Sequence, residues 1–417
     1  MLSLKKLLTK DNLKTQLVIL RSKPEWSYSL WTVGGQVLVS VVTLFSTLAL
    51  ANWVTEEVVG NYRFVLSLLA TVSVFALGGI SSALQQATAA GQEGSYSVAF
   101  AVKVKYGLIA TVICWGSAGY FYFVQTNNDL AKALLVCGAL IPWLEASGLY
   151  GSYLTGVSRF KNYAQALVLE RTVLAGALII TAFFWPTFLA LVITYLVASL
   201  VVRLFLYYCT KRQVPVNAPI DKHMFVYAKH LTSMSLIAAV TSQLDKFILF
   251  FFFGPAALAT FWIASVLPQE VSRLVSAAGG TFFPRIVQTE NEQTMVVVKK
   301  IFWLMLVLTL LLSTVYLLLA KFIFAWFLPV YAGAYLMSGA LMFAFAVNPH
   351  VVVWSIFTAK KKVKELYIYS MAEPLLVCGL YLLFIPLWGV WGLVYALGAR
   401  TLIMNLVAWW VLRKYRV

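Results

Sequence analysis

The sequence predicts an all-α polytopic membrane protein, with about twelve transmembrane helices in two parallel six-helix lobes around a central cavity. Three observations carry that prediction. The 417 residues are 61% hydrophobic and only 11% charged, too little polar surface for a soluble globule. Uncharged runs such as 26–54 and 301–320 are long enough to cross ~30 Å of hydrocarbon as helices. One pattern also occurs twice, as Glu170, Gly176, Pro186, Tyr195 and again as Glu373, Gly379, Pro386, Tyr395. A chain that repeats itself across its midpoint inside a membrane suggests two similar bundles facing each other across a cavity.

The elements follow in order. Residues 1–25 form a basic segment in which Leu4–Leu20, with Lys5, Lys6, Lys10 and Lys14, is amphipathic. It is suited either to lie on an anionic leaflet or simply to set topology, and no cleavable signal peptide is expected. The first lobe, 26–210, holds spans near 27–52, 62–84, 98–124, 131–155, 163–184 and 187–209. A linker at 211–225, with Pro215 and Pro219, is the longest polar interruption. The second lobe, 226–412, holds spans near 227–253, 256–284, 297–321, 330–358, 366–386 and 389–411, and residues 413–417 form a tail. Tight connections at Trp185-Pro186, Gly254-Pro255 and Leu387-Trp388-Gly389 make antiparallel hairpins. Six spans per half give both halves the same orientation, so the repeat is parallel.

Charge placement orients the chain. Lys and Arg gather in both tails and in alternate loops, where Lys103 and Lys105 are counted, while the other side receives only Arg63, Lys132 and Lys321. Both termini are therefore expected in the cytoplasm. The net charge of +17 sets topology and implies no nucleic-acid partner, because no soluble domain exists to carry such a face. Cys114, Cys137, Cys209 and Cys378 have neither disulfide nor metal spacing and are expected to be small buried hydrophobes.

Ionisable residues within spans mark a pathway or a paired interior site. Arg203, near the end of its span, can snorkel to the interface. Arg171 and Arg400 lie deeper, where pairing with Glu170 or Glu373 competes with substrate contact. Glu270 and Arg273, spaced i, i+3, are expected to neutralise each other. Asp245 and Lys246 are neighbours about 100° apart around a helix. They are expected to need separate partners, with Asp245 facing the cavity. Glu145, beside Pro142 and Trp143, and Glu373, before Pro374, sit where a proline bends a helix, which suits a gate that takes up a proton or cation. A hydrogen-bonded acid in a kinked packing helix is the equal alternative. Asn348-Pro349-His350 reads as a kink with a polar tip. The coupling or gating candidates are thus Glu145, Glu170, Asp245, Glu270 and Glu373.

No HExxH, GxSxG, GxxxxGK[ST] or His/Cys cluster occurs, so neither an enzyme, a metal site nor a bound cofactor is expected. Proton or sodium gradients are left as the energy source.

Three blocks carry a family resemblance. Leu48-Ala49-Leu50-Ala51-Asn52-Trp53-Val54-Thr55-Glu56-Glu57-Val58-Val59-Gly60-Asn61-Tyr62 places an acidic stretch before Gly-x-Tyr. Leu244-Asp245-Lys246-Phe247-Ile248-Leu249 is an Asp-Arg/Lys-apolar step, and Ile385-Pro386-Leu387-Trp388-Gly389-Val390-Trp391-Gly392 is a Pro-Gly turn with Trp388 in place of a usual Tyr. Along its whole length the chain resembles the polysaccharide and oligosaccharide flippases, of lipid-linked O-antigen type, in the multidrug/oligosaccharidyl-lipid/polysaccharide exporter superfamily. The resemblance implies two six-helix lobes, alternating access and a cell-membrane location. It also implies a polyprenyl-diphosphate-linked oligosaccharide as substrate, moved from the cytoplasmic to the external leaflet for cell-surface polysaccharide synthesis. Besides this lipid and the bilayer, a polysaccharide polymerase and glycosyltransferases are candidate partners. A cavity lined by Arg and Lys would suit the diphosphate. The cations available are Arg63, Arg171, Arg203, Lys246, Arg273 and Arg400.

Two other readings stand beside it: a cation-coupled exporter of small amphiphiles, and a membrane glycosyltransferase or polymerase acting on the same lipids. Basic spans disfavour cationic drugs, and no external loop is long enough to position a donor and an acceptor for the second.

Overall fold

The computed structural model describes residues 24–280, 291–347 and 363–414, and their regular elements are all helical. The segment Leu4–Leu20, the kink expected at Asn348-Pro349-His350 and the basic residues Lys360, Lys361 and Lys362, expected in one of the alternate loops, lie outside the described residues. Helix α1 (Pro24–Trp53) opens on a proline, whose missing N–H costs nothing in a first helical turn. It runs from what is termed here the near membrane face to the far face. Helix α2 (Glu56–Ser73) starts back with Glu56 and Glu57 against the positive end of its dipole.

The predicted second span, 62–84, is two elements. A 3₁₀ turn at Val74–Ala76 ends α2, Leu77 turns left-handed (φ 60°), and short α3 (Ile80–Ala89) follows. The first lobe continues through α4 (Ser95–Phe123), α5 (Asn128–Ser147), α6 (Tyr150–Gly156), α7 (Phe160–Phe184) and α8 (Phe188–Lys211). The Asn127 side chain caps α5 by accepting from the Leu130 N–H at 3.1 Å. The linker docks on the start of α4: Gly94 N donates to Pro219 O at 3.1 Å and Asp221 N to Ser95 Oγ at 2.9 Å.

The second lobe comprises α9 (Met224–Gly280), α10 (Asn291–Phe327), a 3₁₀ stretch at Pro329–Ala334, α11 (Tyr335–Ala346) and α12 (Val363–Lys414). Helices α9 and α12 break at Gly254 (φ 83°) and Gly389 (φ 58°), conformations that a side chain would strain. Ten helical stretches among the described residues are long and apolar enough to cross a membrane. The two glycine breaks split two of these into hairpins, giving twelve crossings, with all three tight connections where the sequence predicts them.

The lobes meet along α2 and α9. At the far face, a Cβ on Gly60 would fall 1.9 Å from Pro255 O, so backbone meets backbone there. Below that contact Phe64 stacks on Phe250 with ring centroids 3.8 Å apart, and Phe121, Phe247 and Phe251 close around them. Asn52 Nδ2 adds a hydrogen bond to Phe327 O at 2.9 Å. This aromatic plug belongs to a hydrophobic core that continues through both lobes. Toward the near face, Gly79 N donates to Thr232 Oγ1 at 2.9 Å and Gln86 Nε2 to Tyr227 OH at 3.1 Å. Cys114 and Cys137 are buried as expected, whereas Cys209 is exposed on α8 and Cys378 is half-buried.

Candidate functional site

A cavity of about 440 Å³ lies between the lobes, walled by α1, α2, α7, α8 and the second arm of α9. Its charged lining residues are Arg63, Arg171, Glu270 and Arg273, three cations against one carboxylate. Arg63, on α2, lays its guanidinium over the Trp262 ring of α9, 4.0 Å from the centroid, a cation–π contact between lobes. Glu270 pairs with Arg273 one turn along, as the i, i+3 spacing predicts. Glu270 also accepts from Ser40 Oγ at 2.6 Å, a hydrogen bond from α1 across the lobe boundary.

A second cavity of about 540 Å³ lies inside the first lobe, toward the near face, among α3, α4, α5, α6, α7 and α8. Its walls hold two ion pairs. Lys103 Nζ lies 3.2 Å from Glu145 Oε2, and Arg203 Nε lies 3.0 Å from Glu170 Oε1. Tyr150 OH donates to the other Glu170 oxygen. Tyr163, Leu167 and Arg171 line both cavities, so Arg171 stands where they join.

The structure sorts the six candidate cations. Arg203 holds Glu170, Lys246 holds Asp245 at 3.1 Å, Arg273 holds Glu270, Arg400 holds Glu373 at 2.9 Å, and Arg63 covers Trp262. Arg171 alone among the six has neither a carboxylate nor a ring partner among the described residues. Its Nε is buried without a hydrogen bond.

Four expectations need correction. Arg203 does not snorkel, because Glu170 is within reach inside the lobe. Arg171 does not form an ion pair with Glu170, whose two carboxylate oxygens are taken by Arg203 and Tyr150. Asp245 and Lys246 pair with each other, since the long lysine stem spans the angle between their Cβ directions, and Lys246 Nζ also reaches Ser242 O at 3.3 Å. Neither lines the two cavities; Asp245 is buried. Lys103, counted as a loop residue, is buried eight residues into α4 against Glu145. The signal for it was present, since the predicted span 98–124 already enclosed that lysine.

Glu145 and Glu373 both lie near in-helix prolines, Pro142 and Pro374, but each is engaged in an ion pair. Among the described residues no group of three His, Cys, Asp or Glu is arranged to hold a metal ion.

Two six-crossing lobes enclosing a basic cavity define a multi-span membrane protein, and solved structures share its fold. The chain is similar to an inward-facing multidrug-resistance MATE family transporter of the MOP superfamily, at 13% identity over 93% of this chain and 100% of that one, with a TM-score of 0.63. An outward-facing structure of such a transporter matches at 15% identity, 95% and 96% coverage and a TM-score of 0.63. A MOP superfamily transporter from Pyrococcus furiosus, described as having a binding pocket of reverse polarity, matches at 15% identity, 94% and 97% coverage and a TM-score of 0.62. No curated protein matches the chain. The family model described as polysaccharide biosynthesis protein matches residues 49–279, more than half of the chain. The chain belongs to that family.

Proposed function

We propose that this protein is a flippase that moves a polyprenyl-diphosphate-linked oligosaccharide from the cytoplasmic to the external leaflet by alternating access. The observation that carries the reading is the charge of the inter-lobe cavity, and Arg171 above all. Arg171 is half-buried, its Nε is enclosed without a hydrogen bond, and a cation held so inside a membrane protein without an ion pair of its own is costly unless an anion completes it. A diphosphate supplies several acceptor oxygens to the planar donor fork of arginine. A glycan and diphosphate cannot cross hydrocarbon unaided, whereas the polyprenyl tail can stay in lipid beside the protein. Arg63 and Arg273, the other cavity cations, stand on opposite lobes, so an anion reaching both would engage each half of the transporter.

Export of small amphiphiles is the second reading, favoured by the multidrug-transporter neighbours. Three arginines against one carboxylate in the cavity weigh against cationic drugs. Proteoliposomes holding the purified protein separate the two. Translocation of a fluorescent lipid-linked oligosaccharide, read by loss of protection from an external quencher, is expected. Efflux of cationic dyes with no lipid translocation would overturn the proposal. A proton or sodium gradient imposed in the same vesicles tests coupling, and labelling of single cysteines placed at each terminus with a membrane-impermeant reagent in intact cells tests whether both termini face the cytoplasm.

A further inference from the structure

We infer that the polar cavity inside the first lobe is a glycan subsite, with Arg171 as the junction where the diphosphate of the same lipid is held. The inference rests on the flippase reading and adds where the sugar goes.

The chemistry of the walls argues for a sugar. Ionised groups in this cavity are largely internally matched, Lys103 by Glu145 and Arg203 by Glu170. What remains toward the space are neutral hydroxyls and an amide: Ser81, Gln85, Tyr150, Ser152 and Thr155. Tyr150 donates to Glu170 and Thr155 Oγ1 to Gly151 O at 2.8 Å, which leaves their oxygen lone pairs to accept. A sugar offers many hydroxyl donors and acceptors and little apolar surface. A drug-like amphiphile instead finds its site among apolar and aromatic walls. The volume, about 540 Å³, is in the range of small-molecule sites.

Geometry orders the head group. Gln85 is exposed on α3 at the near face, and α7 leads inward from Phe160 past Tyr163 and Leu167 to Arg171. Eleven residues of helix carry that path ~16 Å into the lobe. Arg171 faces the side cavity and the inter-lobe cavity alike. A diphosphate on Arg171 can therefore direct its sugar into the side cavity and its lipid linkage toward the boundary between lobes.

The test uses purified full-length protein in nanodiscs and two probes, bare polyprenyl diphosphate and polyprenyl diphosphate bearing one N-acetylhexosamine. The glycosylated probe is expected to bind about tenfold more tightly, the weight of one or two net hydrogen bonds. Thr155→Val and Gln85→Leu are expected to shrink that preference, and Ser152→Leu, which fills the space, to erase it. Binding of the bare probe should stay unchanged in all three. Gln85 is exposed, so its variant keeps the measurement available if filling the cavity prevents folding. Equal binding of both probes by the wild type, or a full preference surviving in the variants, overturns the subsite and leaves the flippase reading standing. Failure of the wild type to bind either lipid overturns both.

Discussion

Arg203 Nε donates to Glu170 Oε1 at 3.0 Å across the first lobe. The second lobe repeats the bond, with Arg400 Nε donating to Glu373 Oε1 at the same 3.0 Å. The repeated Glu-to-Gly-to-Pro pattern thus has a structural counterpart: each copy anchors the last two crossings of its lobe by an ion pair. The copies are not equal. Glu170 is 4% exposed and also accepts from Tyr150, whereas Glu373 is 30% exposed.

That difference sets a first prediction. Arg203→Ala leaves a carboxylate buried without its cation, at a cost of about 3–5 kcal/mol. Arg400→Ala should cost less, because Glu373 is the less enclosed of the two carboxylates. Thermal unfolding in detergent checks the order, and the double variant Glu170→Gln with Arg203→Met should recover part of the loss. An equal loss at both sites would refute the asymmetry.

Arg171 should behave in the opposite way. Because Arg171 holds no carboxylate in an ion pair, Arg171→Ala strands none and is expected to keep or raise the melting temperature while reducing lipid translocation. One charge-assisted hydrogen bond contributes ~1.5–3 kcal/mol, so the loss should be roughly tenfold to a hundredfold. Arg171→Lys should recover part of it. Full translocation by Arg171→Ala would remove the diphosphate anchor.

For Asp245 and Lys246 the pairing predicts a stability effect before a transport effect. Asp245→Asn and Lys246→Ala each break the pair and should lower the melting temperature. The joint substitution Asp245→Asn with Lys246→Met should restore most of it and retain translocation. A folded double variant that no longer translocates would return Asp245 to the mechanism.

The contact at Gly60 gives a conformational prediction. Gly60→Val places side-chain atoms where Pro255 O now lies and should push α2 and α9 apart at the far face. Cysteines near Asn52 and Phe327 should then become more accessible to membrane-impermeant reagents, with slower translocation. Unchanged labelling would show that the far-face contact yields without separating the lobes.

Hydropathy and punctuation were enough for the architecture. Apolar runs mark where helices cross, glycine and proline mark where they turn, and the duplicated pattern marks two halves of six. They also located one ion pair, Glu270 with Arg273, since i, i+3 neighbours share a helical face wherever the helix goes, and offered Arg400 with Glu373, which the structure shows, as one of two readings. The break after α2 escaped, because Leu77-Gly78-Gly79 stays apolar while its backbone leaves the helix.

The site required the packed molecule. An apolar helix in lipid carries a weak inside–outside pattern, so sequence does not tell which of its charges faces a cavity, a neighbour or the interface. Glu145 finds Lys103, Glu170 finds Arg203, Glu270 finds Ser40 from the other lobe, and Arg63 finds Trp262. Those partners lie tens to hundreds of residues apart, and helix rotation and lobe packing choose them. Arg171 emerges as the one candidate cation with neither an ion pair nor a ring contact among the described residues only after the other five have been assigned in three dimensions.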